Sequence, residues 1–188
     1  MKLLSMIMMS VLSMSILYAQ TSESVTLAGS KVKLLGNEIN VGDTAPRVKL
    51  VSSELEVVSV GGKTKQTQVI IVVPSIDTPI CDLEARTFNT VATKMKNVHI
   101  TVVSMDLPFA GKRYCAAHGI DNITVASDFQ TKAFAKAYGM LLGESILQGL
   151  EARAIFIIKN GKVVYKQLVP EIKQEPDFKA VLKAIQTL

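Results

Sequence analysis

Continuous runs of apolar, largely β-branched residues mark the strands that the sequence predicts to be most deeply buried. The run VIIVV at residues 69–73 has no polar position on either face, and a second buried strand is predicted at residues 99–104. A strand with both faces buried belongs in the middle of a sheet that is covered on each side. Shorter runs between turn residues predict further strands at 25–27, 31–35, 48–51, 57–60, 123–126, 154–158 and 163–168.

From residue 78 the apolar spacing changes from that of a strand to that of a helix, and Asn97 predicts where this helix ends. A second helix is predicted between Asp106, as its N-cap, and Gly119, which closes it. Two more helices are predicted at residues 129–138 and 177–188. The apolar face of the first helix is predicted to consist of Ile80, Leu83, Phe88, Val91, Ala92 and Met95.

The order of these elements predicts the fold class. A β-hairpin comes first, strands and helices then alternate, and Asn160-Gly161 joins the last two strands with the strongest hairpin signal in the chain. Parallel strands joined by helices form a sheet with helices on both faces. The prediction is therefore an α/β, thioredoxin-like fold with an N-terminal β-hairpin extension. A Rossmann-type sheet is the alternative, but no glycine-rich fingerprint follows the strand at 69–73.

Size and composition limit the domain count and the kinds of partner. The chain has 188 residues, of which 48% are hydrophobic and 20% charged. This is enough for one well-packed core and too short for two, so we predict a single domain over residues 21–188. The net charge of +5 comes from basic residues scattered among acidic ones, with 5% aromatic residues and no Trp. We therefore expect no nucleic-acid partner.

The first twenty residues differ from the rest of the chain. One lysine at position 2 precedes an uncharged, mostly apolar stretch that ends at Ala19. This pattern predicts a signal peptide over residues 1–20, cleaved after Ala19. An uncleaved anchor is the alternative, although the stretch is slightly short and no basic cluster follows it. We expect a periplasmic or otherwise exported protein without stable membrane association after leader removal, and a cytoplasmic one if the leader is not functional.

One of the two cysteines stands in the predicted first turn of the helix after strand 69–73. With Thr78 as N-cap, Pro79 takes the first helical position, where a missing N–H costs nothing, and Cys81 takes the third. The unpaired N–H groups and the dipole of a helix start favour the thiolate, which is the nucleophilic form. Two alternatives stay open, a small buried hydrophobe and one half of an inert disulfide. In an exported chain that disulfide would stabilise the fold by about 4 kcal/mol.

Residues 73–81, VPSIDTPIC, resemble the P-S-x-D-T-x-x-C motif of the atypical two-cysteine peroxiredoxins of the bacterial thiol peroxidase type. The resemblance extends over essentially the whole chain after the leader. It departs at Val73, where the family usually has an aromatic residue, and in the leader, which relatives commonly lack. Further matches in the family's order are Arg86, Phe88, Asn89, residues 105–129 with Cys115 at the required spacing, and residues 137–139, 149–154 and 167–169.

This resemblance implies a thioredoxin-dependent hydroperoxide reductase that uses no cofactor. Cys81 would be the peroxidatic cysteine, which attacks hydrogen peroxide or an organic hydroperoxide and becomes a sulfenic acid. Cys115 would be the resolving cysteine and form an intramolecular disulfide with it. Thr78 would form hydrogen bonds with the sulfur and the bound peroxide. Arg153 would stabilise the thiolate and the charge on the leaving oxygen, and Pro74 would shield the pocket. A thioredoxin-like reductant would restore both thiols, and a homodimer is expected.

The same residues are compatible with other functions. One is an exported thioredoxin-fold binding protein with a permanent Cys81–Cys115 disulfide, and another is a general thiol–disulfide oxidoreductase, which the lack of a C-x-x-C motif disfavours. A metal site would require both cysteines, His99 and His118 to converge, and none is predicted. Arg86 is expected beside the site rather than on the surface. Since disulfide-bonded Cα atoms lie within about 7 Å, the predicted helices around both cysteines must unwind locally on oxidation.

Overall fold

The computed structural model describes residues 23–188. The predicted signal peptide at residues 1–20 lies outside the described residues. Within them, no helix has the length and apolar character needed to cross a membrane. The helices are α1 (Pro79–Ala92), α2 (Pro108–His118), α3 (Ala133–Ala137) and α4 (Phe178–Gln186). The strands are β1 (Ser24–Leu27), β2 (Ser30–Leu35), β3 (Val48–Ser52), β4 (Val57–Val60), β5 (Thr67–Val72), β6 (Val98–Ser104), β7 (Thr124–Ser127), β8 (Leu141–Leu142), β9 (Ala154–Lys159) and β10 (Lys162–Leu168).

A central seven-stranded sheet has the strand order β10-β9-β5-β6-β7-β3-β4. Its middle strands β5, β6 and β7 run parallel, and the outer strands pair antiparallel. β1 and β2 form the predicted N-terminal hairpin, and β8 joins them in a second, three-stranded sheet. The α/β architecture with an N-terminal hairpin is therefore confirmed, whereas the two-residue strand β8 had no signal in the sequence.

The apolar run in β5 is explained by burial on both faces of the central sheet. Val69 and Ile71 pack in one cluster with side chains of α1, α2 and α4, while Ile70 and Val72 pack in another with α3 and the N-terminal hairpin. All four side chains are fully buried, and each such burial contributes about 1.5–3 kcal/mol. The carboxyl end of β5 is thereby fixed beneath the start of α1.

The predicted end of α1 and the predicted extent of α3 are wrong, because hydrogen bonds to residues outside these helices decide them. α1 ends at Ala92 and not at Asn97. Asn97 has a left-handed backbone, with φ of 59°, and its carbonyl accepts a hydrogen bond from the Thr67 N–H, which places it in the turn before β6. α3 covers only Ala133–Ala137 of the predicted 129–138, because the Asp128 carboxylate accepts the Ala135 N–H.

Helix α2 ends as predicted but begins one residue later than expected. Gly119 closes it in a left-handed conformation, with φ of 62°. Its N-cap is Leu107 rather than Asp106, which uses its carboxylate elsewhere. The Asn160-Gly161 turn joins β9 and β10 with positive φ at both residues, as this type of tight hairpin requires.

Glu151 is a buried carboxyl group close to the carboxyl ends of the parallel strands. It is fully buried, and within the described part of the chain neither side-chain oxygen has a hydrogen-bond partner. Burial raises its pKa well above the ordinary value of 4.5, and the charges of Asp128 and Asp106 raise it further. The folded protein therefore keeps a proton that the unfolded chain releases, so Glu151 lowers stability progressively as the pH rises above 4.5.

We predict that Glu151→Gln stabilises the protein at about pH 8 and changes its stability little at about pH 5. The amide resembles the protonated carboxyl group but does not titrate, and each unit of pKa shift removed corresponds to about 1.4 kcal/mol. Urea unfolding of wild type and variant at both pH values measures the difference. Glu144→Gln, at an exposed position, is the control and should show no such pH dependence. An equal effect of Glu151→Gln at both pH values would contradict the prediction.

Candidate active site

The loop at residues 73–78, between β5 and α1, is held by Asp106 from the end of β6. Asp106 Oδ2 accepts a hydrogen bond from the Ile76 N–H at 2.8 Å and one from the Ser104 hydroxyl at 2.7 Å. Its Oδ1 accepts the Ser75 hydroxyl at 2.8 Å. These bonds explain why Asp106 is not available to cap α2, and they fix the direction in which the chain enters α1.

Cys81 occupies the first turn of α1, as the sequence predicted. Thr78 is the N-cap and Pro79 the first helical residue, but the Thr78 hydroxyl does not bond to a backbone N–H. It donates instead to Cys81 Sγ at 2.8 Å. The sulfur belongs to a fully buried side chain and lies among the unpaired N–H groups of the helix start. The hydroxyl donor and the helix start both place partial positive charge beside this sulfur.

Arg153 immediately precedes β9 and contacts the same sulfur. Its Nη2 donates to Cys81 Sγ at 3.3 Å, and its Nη1 donates to Glu84 Oε2 at 2.7 Å. The Arg153 side chain is only 2% exposed, and a guanidinium keeps its charge at any physiological pH. A buried charge of this kind requires partners, and α1 supplies two of them one helical turn apart.

A third partner of Arg153 comes from the segment after β10. The Ile172 carbonyl accepts hydrogen bonds from Arg153 Nε and Nη2, both at 3.4 Å. The Ile172 N–H in turn donates to the Thr26 carbonyl in β1 at 2.9 Å. Next to it, the Glu171 carboxylate accepts hydrogen bonds from the hairpin turn, chiefly from the Gly29 N–H, which lower its pKa to about 2. The N-terminal hairpin thus positions the carbonyl that orients Arg153.

Glu84 is the residue of this site that the sequence analysis missed. Apolar spacing assigned Leu83 to the buried face, but Leu83 is 45% exposed and Glu84 is fully buried. Burial raises the pKa of Glu84 to about 7, while the charge and the hydrogen bond of Arg153 oppose this shift. The ion pair therefore weakens as the pH falls through about 7. The available signal was the spacing of Glu84 from Cys81, which places both on one helical face.

An open cleft of about 550 Å³ borders the polar groups that surround Cys81. Thr78 and Arg153 line it, and so does Pro74, which the family resemblance expects at the pocket. Most of the other lining side chains are apolar, which is typical of a site for a small organic molecule. They include Leu27, Ile80, Ile146, Leu147, Leu150 and Ile172.

Cys115 lies in α2 and is not disulfide-bonded to Cys81. It lines a different cavity of about 390 Å³ together with Ser53 and Ile120. Burial raises the pKa of this half-buried thiol, so it remains protonated near neutral pH. Both cysteines are free thiols within helices. The Cα atoms of a disulfide lie within about 7 Å of each other. The local unwinding on oxidation that we expect from this limit stays a prediction.

The remaining candidates lie outside the group of residues around Cys81. Arg86 is exposed on α1 and pairs with Asp82 at 3.6 Å, so the expectation that it stands beside the site is wrong. His99 lies 3.4 Å from the Thr124 hydroxyl, and His118 lies 3.5 Å from Asp82. In the part of the chain that the structure describes, no three histidine, cysteine or acidic side chains are grouped so as to hold a metal ion.

Comparison with known protein sequences gives consistent matches. The Redoxin family matches residues 40–182. A thiol peroxidase of Aquifex aeolicus is 49% identical over 168 residues, which are 89% of this chain and 99% of the relative. A thiol peroxidase of Campylobacter jejuni is 50% identical over 154 residues, which are 82% of this chain and 87% of the relative.

Solved structures match the fold. The crystal structure of a peroxiredoxin-like protein from Aquifex aeolicus has a TM-score of 0.85 at 49% identity, covering 87% of this chain and 96% of that one. A thiol peroxidase from Chromobacterium violaceum has a TM-score of 0.77 at 22% identity, covering 87% and 95%. The predicted thioredoxin-like fold is confirmed by these neighbours.

We predict that Glu84→Gln slows the oxidation of Cys81 by hydrogen peroxide roughly tenfold. The amide keeps an oxygen acceptor for Arg153 Nη1 but lacks the charge that holds the guanidinium, and neutral hydrogen bonds are about half as strong as charge-assisted ones. The rate is measured at about pH 8 by alkylation and mass spectrometry. Glu54→Gln is the control, because Glu54 pairs with Lys112 at 2.9 Å on the surface. A wild-type rate in Glu84→Gln would show that Arg153 is held without this ion pair.

Proposed function

The chain belongs to the Redoxin family, as a thiol-dependent peroxidase of the bacterial thiol peroxidase type, and we propose that Cys81 is its peroxidatic and Cys115 its resolving cysteine. The observation that carries this assignment is the convergence of two donors on one buried sulfur. Thr78 Oγ1 lies 2.8 Å and Arg153 Nη2 3.3 Å from Cys81 Sγ, and both stabilise negative charge there. Cys115, with its raised pKa, suits a thiol that reacts second.

In the first step the Cys81 thiolate attacks one oxygen of the hydroperoxide. A sulfur–oxygen bond forms while the O–O bond breaks, and Cys81 becomes a sulfenic acid. The leaving oxygen takes a proton from water and departs as water or an alcohol. The Arg153 guanidinium and the Thr78 hydroxyl are already in place around the sulfur, so they stabilise the charge as it moves to the leaving oxygen.

In the second step the Cys115 thiol attacks the sulfenic sulfur of Cys81. A disulfide forms, and the sulfenic oxygen leaves as water with the proton of the thiol. The two cysteines stand in different helices, so we propose that the first turn of α1 and the Cys115 region of α2 unwind locally. Closely superimposable backbones in the reduced and oxidised proteins would contradict this.

The lining of the cleft supports a proposal for the substrates, and the family supports one for the reductant. The apolar cleft beside Thr78 and Arg153 supports organic hydroperoxides as substrates together with hydrogen peroxide. We propose that a dithiol of the thioredoxin class exchanges with the Cys81–Cys115 disulfide, which restores both thiols and leaves the reductant oxidised. The net reaction converts a hydroperoxide and a dithiol into an alcohol or water, a second water and a disulfide.

We predict that one equivalent of hydrogen peroxide consumes both thiols of the reduced protein within seconds and yields a Cys81–Cys115 disulfide. Thiol counting and peptide mapping by mass spectrometry measure the outcome. Cys115→Ser should lose one thiol and accumulate a sulfenic acid at Cys81 that dimedone traps. Cys81→Ser should react only as slowly as an ordinary thiol.

Slow oxidation of both cysteines at similar rates would contradict the activation of Cys81. It would favour the alternative, an exported thioredoxin-fold binding protein with a structural disulfide, which the thiol peroxidase relatives do not favour.

We further propose that the protein is exported and forms a homodimer. The leader pattern at residues 1–20 supports export, and an exported dithiol carrier would then be needed because cytosolic thioredoxin could not reach the protein.

The family resemblance supports the dimer, as does the 93% exposure of Ile146 beside the apolar cleft. Cell fractionation with the mass of the mature chain tests export, and light scattering tests the dimer. An intact leader in the cytoplasm, or a monomeric mass, would contradict them.

A further inference from the structure

Helices α1 and α2 are joined by a hydrogen bond between the residues next to the two cysteines. The Tyr114 hydroxyl, on the residue before Cys115, donates to Asp82 Oδ1 at 2.9 Å, and Asp82 is the residue after Cys81. The same hydroxyl lies 3.4 Å from the Asp82 carbonyl oxygen. One side-chain contact thus links the backbones on which both reactive sulfurs are carried.

The surroundings of this contact favour its persistence in the reduced protein. Tyr114 is buried, and its ring packs against the His118 ring with centroids 4.7 Å apart. His118 Nδ1 lies 3.5 Å and Arg86 Nη1 3.6 Å from the Asp82 carboxylate. Burial and the hydrogen bond to Asp82 raise the pKa of Tyr114, so its hydroxyl remains a donor. A hydrogen bond to an ionised carboxylate is stronger than a neutral one.

The far end of α2 is attached to α1 as well. Asn89 Nδ2 donates to the Gly119 carbonyl at 3.0 Å, and Asn89 Oδ1 accepts the N–H groups of Asp121 and Asn122 at 3.2 and 2.8 Å. These bonds hold the turn after α2. The Asp82–Tyr114 bond is therefore adjacent to both cysteines, and it joins the segments that we propose unwind for a disulfide.

We propose that the Asp82–Tyr114 hydrogen bond is a latch, with Tyr114 as a positioning residue, that delays the approach of Cys115 to Cys81 after Cys81 has been oxidised. The proposal rests on the proposed assignment of Cys81 and Cys115. While the latch is closed, α1 and α2 keep their helical form around the cysteines. When it opens, the segments can rearrange to the short Cα separation that a disulfide requires.

The latch sets the outcome of a competition at the Cys81 sulfenic acid. Attack by the Cys115 thiol gives the disulfide and water. Attack by the sulfenate on a second hydroperoxide breaks another O–O bond and gives the sulfinic acid together with water or an alcohol, a product that dithiols do not reduce. Slower opening of the latch leaves more time for the second reaction. The strength of the Asp82–Tyr114 hydrogen bond therefore determines how much peroxide the protein tolerates before Cys81 is oxidised irreversibly.

Tyr114→Phe tests the latch in the full-length, reduced protein. The substitution removes the hydroxyl and keeps the ring against His118. Tyr138→Phe is the matched control, because its buried hydroxyl donates to the Pro46 carbonyl at 2.8 Å in another part of the fold. Rapid mixing with hydrogen peroxide, quenching with dimedone and a thiol alkylator, and mass spectrometry give three quantities. These are the rate of Cys81 oxidation, the rate of disulfide formation and the fraction of sulfinic acid.

The expected result for Tyr114→Phe is disulfide formation about tenfold faster, with less sulfinic acid at any given excess of peroxide and an unchanged rate of Cys81 oxidation. Tyr138→Phe should match wild type in all three quantities even if it unfolds at lower urea. A loss of packing alone would not produce a selective gain in the second step.

Disulfide formation in Tyr114→Phe at the wild-type rate, or more slowly, would overturn the latch while leaving the cysteine roles intact. Absence of a Cys81–Cys115 disulfide in wild type would overturn the cysteine assignment itself, and the latch with it.

Discussion

The buried guanidinium of Arg153 imposes the constraint on which the candidate site depends. Its charge cannot be removed by deprotonation, so the fold must surround it with acceptors. Glu84 and Cys81 supply two from α1, and the Ile172 carbonyl supplies a third from the segment tied to the N-terminal hairpin. Three distant parts of the chain are thereby fixed relative to one sulfur. The same arrangement that satisfies the buried charge also points Arg153 Nη2 at the sulfur with which a peroxide would react.

Two buried carboxyl groups show that burial alone does not give a residue its role. Glu84 is paired with Arg153 at 2.7 Å, and its pKa is raised only to about 7, so it is charged above that pH and can orient the guanidinium there. Glu151 has no hydrogen-bond partner within the described residues, and its neighbours Asp106 and Asp128 are themselves acidic. It therefore stays protonated and contributes no charge. The difference between the two lies in the partner and not in the extent of burial.

The parts of this arrangement that are local in the sequence could be predicted, and the parts that depend on distant contacts could not. The β-branched run of β5 and the capping pattern of Thr78 and Pro79 are local signals, and both describe the structure correctly. Glu84 was not predicted at the site because helical spacing weighs only hydrophobicity, and the arginine that pairs with it is far away in the chain. The end of α1 before Asn97 likewise depends on a hydrogen bond from Thr67. The place given to Arg153 came from the family resemblance and not from spacing.

The proposed chemistry makes opposite demands on the helix that carries Cys81. The first step is best served by a rigid α1, because its N–H groups and Thr78 must already point at the sulfur. The second step requires the same turn to unwind.

The way α1 begins reconciles the two demands. The Thr78 hydroxyl donates to the sulfur, so the start of α1 has no side-chain cap. The N-cap of α2 is Leu107, whose side chain cannot accept a hydrogen bond. By contrast, the Asp177 carboxylate caps α4 by accepting the Ala180 N–H. A missing side-chain cap lowers helix stability by about 1 kcal/mol. In the proposed chemistry, oxidation also adds an oxygen to the sulfur that Thr78 and Arg153 contact, so the hydrogen bonds of both residues to Sγ must change. The proposed first step therefore alters the contacts at the helix start that promoted it, and the second step begins from a site whose contacts have already changed.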